Sequence, residues 1–215
     1  MLSFLREKLR LLVITDKKLK PNIVKAVEDA LRGGATSIQL RLKESSTKEM
    51  IEVGREIRRL TRNYEALYFV DDRLDVALAT DADGVQLGPD DMPIAIAREL
   101  APNLIIGGSV YSLEEAVRAE SEGADFLGAG SVFPSPTKID ARVIGLNGLR
   151  EIVKKVKIPV VAIGGINASN AEAVLKTGVV GIAVISAVMG AEDVYRATLE
   201  LRKIVDMVLG HGEPP

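Results

Sequence analysis

The chain has 215 residues, and its 28 Lys+Arg against 30 Asp+Glu leave a net charge of -2, so it offers no broad basic surface for nucleic acid or an anionic membrane. It has no cysteine, which excludes disulfides, thiolate metal sites and cysteine nucleophiles, and its one histidine, His211, lies in the polar tail GHGEPP, away from any triad or zinc pattern. Hydrophobic residues make up 47% and aromatics only 4%, so the core has to be built from Ile, Val, Leu and Ala.

The chain opens on MLSFLREKLR, which lacks the apolar centre and small-residue cleavage site of a signal peptide. No later stretch has the length and purity of a membrane span, so a soluble, cytoplasmic protein is expected. The first apolar run, LRLLVIT, passes into DKKL and not into the glycine fingerprint of a dinucleotide site. The helix pattern IVKAVEDALR follows, then the run SIQLRL, the helix pattern KEMIEVGREIRRL and the run ALYFV. GVQLG, LIIGGSV, FLGAGSV, PVVAIGGI and GIAVISAV complete eight strand-like runs, with LEEAVRAESEG and AEAVLKTG among the helices between them. The runs are continuous and not alternating, as expected for strands covered on both faces. RGGATSIQL, TDADGVQLG, SEGADFLGA and KTGVVGIAV repeat one turn from helix end into strand. Eight units of about 27 residues predict a single (β/α)₈ TIM barrel of the α/β class over residues 1–215, with residues 210–215 as a tail. An open doubly wound sheet is the rival, and it would carry fewer strands at this length.

In such barrels chemistry sits where strands run into the following helices. Strand 2 ends in Gln39, Arg41 and Lys43, alternate positions that strand geometry points to one side, into the barrel mouth. Strand 3 ends in Asp71 and Asp72, and strand 4 runs into Asp90 and Asp91. Two readings stand for these carboxylates. Either they cap the helices RLDVALA and MPIAIA, or neighbouring pairs at one rim share an Mg²⁺ ion, which favours oxygen ligands. Strand 5 places Ser109 near the rim. Strand 6 leads into GAGSVFPSPTKIDARVIG, the longest irregular connection, with Ser135, Thr137 and Lys138 and two prolines that stiffen it for binding. Strands 7 and 8 end in Gly164-Gly165-Ile166 and Ile185-Ser186, where backbone N–H groups can approach a phosphate. The inventory suits departure of a phosphate-type group stabilised by a metal and cations, and it lacks an obvious general base or nucleophile.

QLRLK, FVDDR, GVQLGPDD, SVFPSPTK, AIGGI and VISA, in this order through nearly the whole chain, resemble the motifs of the thiamine-phosphate synthase family. The resemblance implies a (β/α)₈ transferase of thiamine biosynthesis. Such an enzyme joins 4-amino-2-methyl-5-hydroxymethylpyrimidine diphosphate to 4-methyl-5-(2-phosphoethyl)thiazole and releases pyrophosphate by a dissociative, Mg²⁺-assisted path. Carried over by position, Gln39, Arg41, Lys43, Asp71, Ser109 and Lys138 would bind the pyrimidine diphosphate, with Arg41, Lys43 and Lys138 as the catalytic cations. Asp72 and Asp91 would hold Mg²⁺, and Ser135, Pro136, Thr137, Gly165, Ile185 and Ser186 would contact the thiazole phosphate. The sequence departs from the family pattern at Asp71 for the common Asn, Gln86 for His, Leu42 for Glu and Ser135 for Thr. The partners implied are small phosphorylated molecules, with no nucleic acid and no membrane, and a homo-oligomer is allowed. The alternatives are a thiazole tautomerase-like paralogue and a non-catalytic phosphate-ligand barrel. The tautomerases resemble one another in a histidine after strand 5, where this chain has Tyr111. A Schiff-base lysine enzyme using Lys43 or Lys138 is a further rival.

Overall fold

A computed structural model describes residues 2–135 and 142–210. Eight parallel strands close into a barrel in chain order: β1 (Leu11–Ile14), β2 (Ser37–Leu40), β3 (Leu67–Asp71), β4 (Gly84–Leu87), β5 (Ile105–Val110), β6 (Phe126–Ala129), β7 (Val160–Ile163) and β8 (Gly181–Val184). Helices α2 (Ile23–Arg32), α3 (Thr47–Asn63), α4 (Leu74–Ala79), α5 (Ile94–Leu100), α6 (Leu113–Ser121), α7 (Gly145–Lys155) and α8 (Ala171–Leu175) connect successive strands, and α9 (Ser186–Met189) and α10 (Val194–Leu209) follow β8. The barrel expected from the eight-fold repeat is the fold found, and the open sheet is not. Among the described residues no helix is long and apolar enough to cross a membrane.

The helices begin where short polar side chains accept orphan backbone N–H groups: Asn22 from Lys25, Ser46 from Glu49, Ser112 from Glu115 and Asp193 from Arg196. Each presents an apolar stripe to the sheet, such as Ile23, Ala26, Val27, Ala30 and Leu31 on α2.

The continuous apolar runs are explained by two cores rather than one. Outward residues of the strands, among them Val13, Ile38, Leu40, Tyr68, Val70, Val85, Ile106 and Leu127, pack under the helices. Inward residues form a separate cluster of Leu12, Ile14, Leu67, Phe69, Phe126, Val161 and Ala183. The Phe69 and Phe126 rings meet at 5.3 Å between centroids, tilted by 59°. Register places Gln39 beside Phe69, Asp71 beside Gln86, and Ser109 beside Gly128. The inward positions therefore change from apolar to polar toward the carboxyl ends of the strands.

The opening MLSFLREKLR, read above only as lacking a leader, forms helix α1 over Leu2–Lys8. Its Leu5, together with Leu9, is buried in the inner cluster, so α1 closes the barrel at the amino ends of the strands. The paired strand segments are shorter than the apolar runs. GIAVISAV pairs only as far as Val184, and the rest begins α9, whose Val188 and Met189 stay buried.

Candidate active site

The open end of the barrel holds a cavity of about 340 Å³ lined by Gln39, Arg41, Lys43, Asp71, Asp72, Asp91, Ser109, Ser135 and Ile185, together with Gln86, Tyr111 and Phe126. A smaller recess adjoins it, lined by Ser135, Gly164, Gly165, Ile185 and Ser186. Every described residue expected at the site thus reaches the same mouth or its side recess. Pro136, Thr137 and Lys138 lie outside the described residues.

Gln39 is buried on β2 and donates from Nε2 to Asp71 Oδ1 on β3 at 2.6 Å. Gln86 on β4 donates from Nε2 to Ser109 Oγ on β5 at 3.0 Å. These two pairs form a polar layer above the phenylalanines. The Gln86 side chain can lie flat there because β5 and β6 carry glycine beneath it. A Cβ at Gly107 would meet Gln86 Oε1 at 2.2 Å and Phe126 at 2.5 Å.

Strand pairing of β2 ends at Leu40, but the expected alternation continues. Arg41 and Lys43 still face the mouth, because Arg41 N–H donates to the Thr15 hydroxyl at 2.9 Å and not to a neighbouring strand. The Arg41 guanidinium donates to Asp16 at 3.1 Å and stands 3.8 Å from Asp71. Lys43 is ion-paired with Asp72 and lies 3.9 Å from Asp71. Burial, and then the neighbouring charge of Asp72, push the Asp71 carboxyl up to about 7, against the pull of Lys43, Arg41 and the Gln39 hydrogen bond. Burial opposes the Lys43 ammonium, yet the hydrogen bond and charge of Asp72, with Asp71, raise it above its ordinary value.

The helix-capping reading of the acidic pairs does not hold. Arg73 occupies the cap position of α4 and Pro93 that of α5, and neither helix receives a side-chain cap bond. Asp72 instead takes a left-handed backbone, φ 64°, with its N–H donating to Gln86 O at 2.8 Å. Asp91 folds back so that Oδ2 accepts the Gly88 N–H at 2.6 Å. Burial raises the Asp91 carboxyl, the Gly88 N–H opposes it, and the charge of Asp72 and a hydrogen bond shared with it raise it further. The two carboxylates are therefore neighbours at the rim. Among the described residues no group of three or more His, Cys, Asp or Glu forms a ready metal cage. Two carboxylates with room for water and phosphate oxygens fit the coordination habit of Mg²⁺, which takes few protein ligands. Lys43, seated on Asp72, supplies the positive charge that this pair calls for.

In the side recess Gly164 and Gly165 have φ of 99° and 65°. A Cβ on Gly165 would meet Pro134 O at 2.6 Å and Phe133 Cβ at 2.7 Å, so only glycine lets the strand-6 loop pack this close. Asn170 Nδ2 donates to Gly165 O at 2.9 Å, and Asn170 Oδ1 accepts from Asn167 N at 2.9 Å, fixing the turn.

Sequence reasoning missed Asp16, Thr15 and Asn170. The TDKKL stretch tells only that no glycine fingerprint follows the first strand, and nothing in its composition shows that Asp16 is buried against an arginine from the next strand.

The sequence matches the thiamine monophosphate synthase family over residues 11–188. A thiamine-phosphate synthase of Pyrococcus furiosus is 72% identical over 206 residues, 96% of this chain and 99% of that protein. One from Methanococcus maripaludis is 54% identical over 200 residues, 93% of this chain and 96% of that protein. The solved thiamine phosphate pyrophosphorylase of Pyrococcus furiosus superimposes with a TM-score of 0.92 at 71% identity, covering 96% of this chain and all of that one, 100%.

Proposed function

Because this chain belongs to the thiamine monophosphate synthase family, and is thus an enzyme of the transferase class, we propose that it joins 4-amino-2-methyl-5-hydroxymethylpyrimidine diphosphate to 4-methyl-5-(2-phosphoethyl)thiazole, giving thiamine phosphate and pyrophosphate. The observation that carries the reading is the juxtaposition, at one rim, of the Asp72 and Asp91 carboxylates with Arg41 and Lys43 above a neutral and acidic polar layer. Such a rim suits a diphosphate, and the glycine recess across the mouth suits a phosphomonoester.

In this reading the bond between the pyrimidine methylene carbon and the diphosphate oxygen breaks, and its electron pair goes to the oxygen. The lone pair of the thiazole nitrogen then forms the new carbon–nitrogen bond. That nitrogen carries no proton, so no general base is required, which fits a mouth without histidine or cysteine among the described residues. Arg41 and Lys43 meet the charge that develops on the leaving group, and Lys138 is assigned the same task from the family pattern. Gln39, Asp71 and Ser109 orient the pyrimidine ring from the polar layer. Ser135, Pro136, Thr137, Gly165, Ile185 and Ser186 seat the thiazole phosphate. Asp72 and Asp91 would hold Mg²⁺, which when bound neutralises diphosphate charge and makes it a better leaving group.

Mass spectrometry of the product with both substrates, and with each left out in turn, tests the proposal. Thiamine phosphate forming only with both present supports it. An isomerised thiazole phosphate without condensation would favour the tautomerase-like paralogue, and unchanged substrates would favour a binding barrel.

A further inference from the structure

Arg41 is the first residue past the paired part of β2, and two consecutive residues at the end of β1 take hold of it from both sides. Thr15, fully buried, accepts the Arg41 N–H at 2.9 Å and donates its hydroxyl to the Arg41 carbonyl at 3.1 Å. Asp16 Oδ2 accepts Arg41 Nη1 at 3.1 Å, and the carboxylate is nine-tenths buried, with 10% of the side chain exposed. The other carboxylate oxygen, Oδ1, accepts the backbone N–H groups of Lys18 at 2.9 Å and Leu19 at 3.3 Å. Asp16 does not line the cavity, whereas Arg41 does. It therefore meets a ligand only through the arginine.

A second carboxylate competes for the same guanidinium. Asp71 Oδ2 stands 3.8 Å from Arg41 Nε, an ion-pair distance longer than a hydrogen bond. Without Asp16 the guanidinium has one carboxyl partner left within 4 Å, and it would settle onto Asp71, deeper in the mouth. An arginine paired directly with a nearly buried carboxylate has given up donors that a diphosphate would use.

We infer that Asp16 is a positioning residue for Arg41: it holds the guanidinium off Asp71 and aims its remaining N–H donors at the diphosphate leaving group. The inference rests on the proposed pyrimidine-diphosphate reading of this mouth. Two opposing effects follow from removing the charge of Asp16. Loss of a like charge near an anion strengthens attraction, and loss of the arginine's geometry weakens it. Geometry prevails, because the hydrogen bond is direct and buried while Asp16 itself stays out of the cavity.

Asp16→Asn separates the two duties of the side chain. The Asn carbonyl oxygen can keep the turn bonds to Lys18 and Leu19, but its amide presents N–H groups toward Arg41 Nη1, where an acceptor is needed. Should that variant not fold, Asp16→Ser keeps a turn acceptor without the charge. Calorimetric titration with Mg²⁺ and inorganic pyrophosphate is expected to show at least about tenfold weaker binding in Asp16→Asn, the size of one charged hydrogen bond. Binding of the thiazole phosphate at the far recess should not change, which a general loosening of the barrel would not allow. In an Arg41→Ala background the Asn substitution should add nothing further. If Arg41→Ala weakens pyrophosphate binding while Asp16→Asn leaves it unchanged or tightens it, the positioning role is overturned and the function stands. If Arg41→Ala has no effect, the assignment of Arg41 to the diphosphate falls, and this inference falls with it.

Discussion

Asp71→Asn should stabilise the protein at alkaline pH and leave it nearly unchanged in acid. Asp71 has 15% of its side chain exposed, and its carboxyl is raised from 3.8 to about 7, first by burial and then by the charge of Asp72. A shift of that size corresponds to about 4 kcal/mol of native-state penalty on the ionised form. The sign follows from linkage. Between about pH 4 and pH 7 the folded chain keeps a proton that the unfolded chain has released, so this group's contribution to stability falls as pH rises and is fully adverse above 7. Asn has no proton to lose, and its oxygen can still accept the Gln39 amide that now reaches Asp71 Oδ1. With solvent at the mouth and Lys43 half exposed, the gain at pH 8.5 should be on the order of 2 kcal/mol, raising the melting temperature by roughly 4–8 °C for a chain of this size. Urea and thermal denaturation of both proteins at pH 5 and pH 8.5 measure the difference. A variant less stable than the parent at pH 8.5 would show that Asp71 is ionised and held by Arg41 and Lys43, and the argument from burial would fail.

Asp72→Ala and Asp91→Ala should each lower turnover by at least about a hundredfold while costing the fold only about 1–3 kcal/mol, from the left-handed backbone of Asp72 or the lost Gly88 acceptor of Asp91; unaltered activity in both would remove them as metal ligands. Lys138→Ala should slow the chemical step in single-turnover kinetics, and a rise confined to the thiazole-phosphate KM would contradict its assignment. Gly165→Ala, forced to φ 65° and against Pro134 and Phe133, should raise that KM by more than about tenfold, and an unaffected KM would displace the phosphate from this recess. Leu5→Ala should cost about 2–4 kcal/mol in urea denaturation without altering KM, since Leu5 packs in the inner cluster at the closed end of the barrel; a smaller loss would mean that α1 does not plug it.

The barrel was legible in the sequence because its signal is repetition. Eight Val- and Ile-rich runs separated by amphipathic stretches leave few other ways to bury both strand faces. The alternation of Gln39, Arg41 and Lys43 was legible for the same geometric reason, and it outlasts the paired strand because Thr15 substitutes a side-chain bond for the ladder. The rival readings of Asp72 and Asp91 needed coordinates, since a carboxylate before a helix looks the same in sequence whether it caps or turns back toward the mouth. Asp16 and Asn170 were not legible. Asp16 acts on Arg41 across 25 residues that only the pairing of β1 with β2 removes, and Asn170 acts through one backbone carbonyl in a turn. Helix α1 was read as a leader question, and its pair Leu5 and Leu9 gains meaning only from the inner cluster that it covers at the amino ends of the strands.

The most direct measurement is pyrophosphate release in a single turnover with both substrates, first with Mg²⁺ and then with the divalent cation chelated. Stoichiometric pyrophosphate that appears with thiamine phosphate, and that falls to the uncatalysed rate on chelation, is the expected result. Release at full rate without a divalent cation, or no release from either mixture, would contradict the assignment of the acidic rim and its basic pair to a diphosphate leaving group.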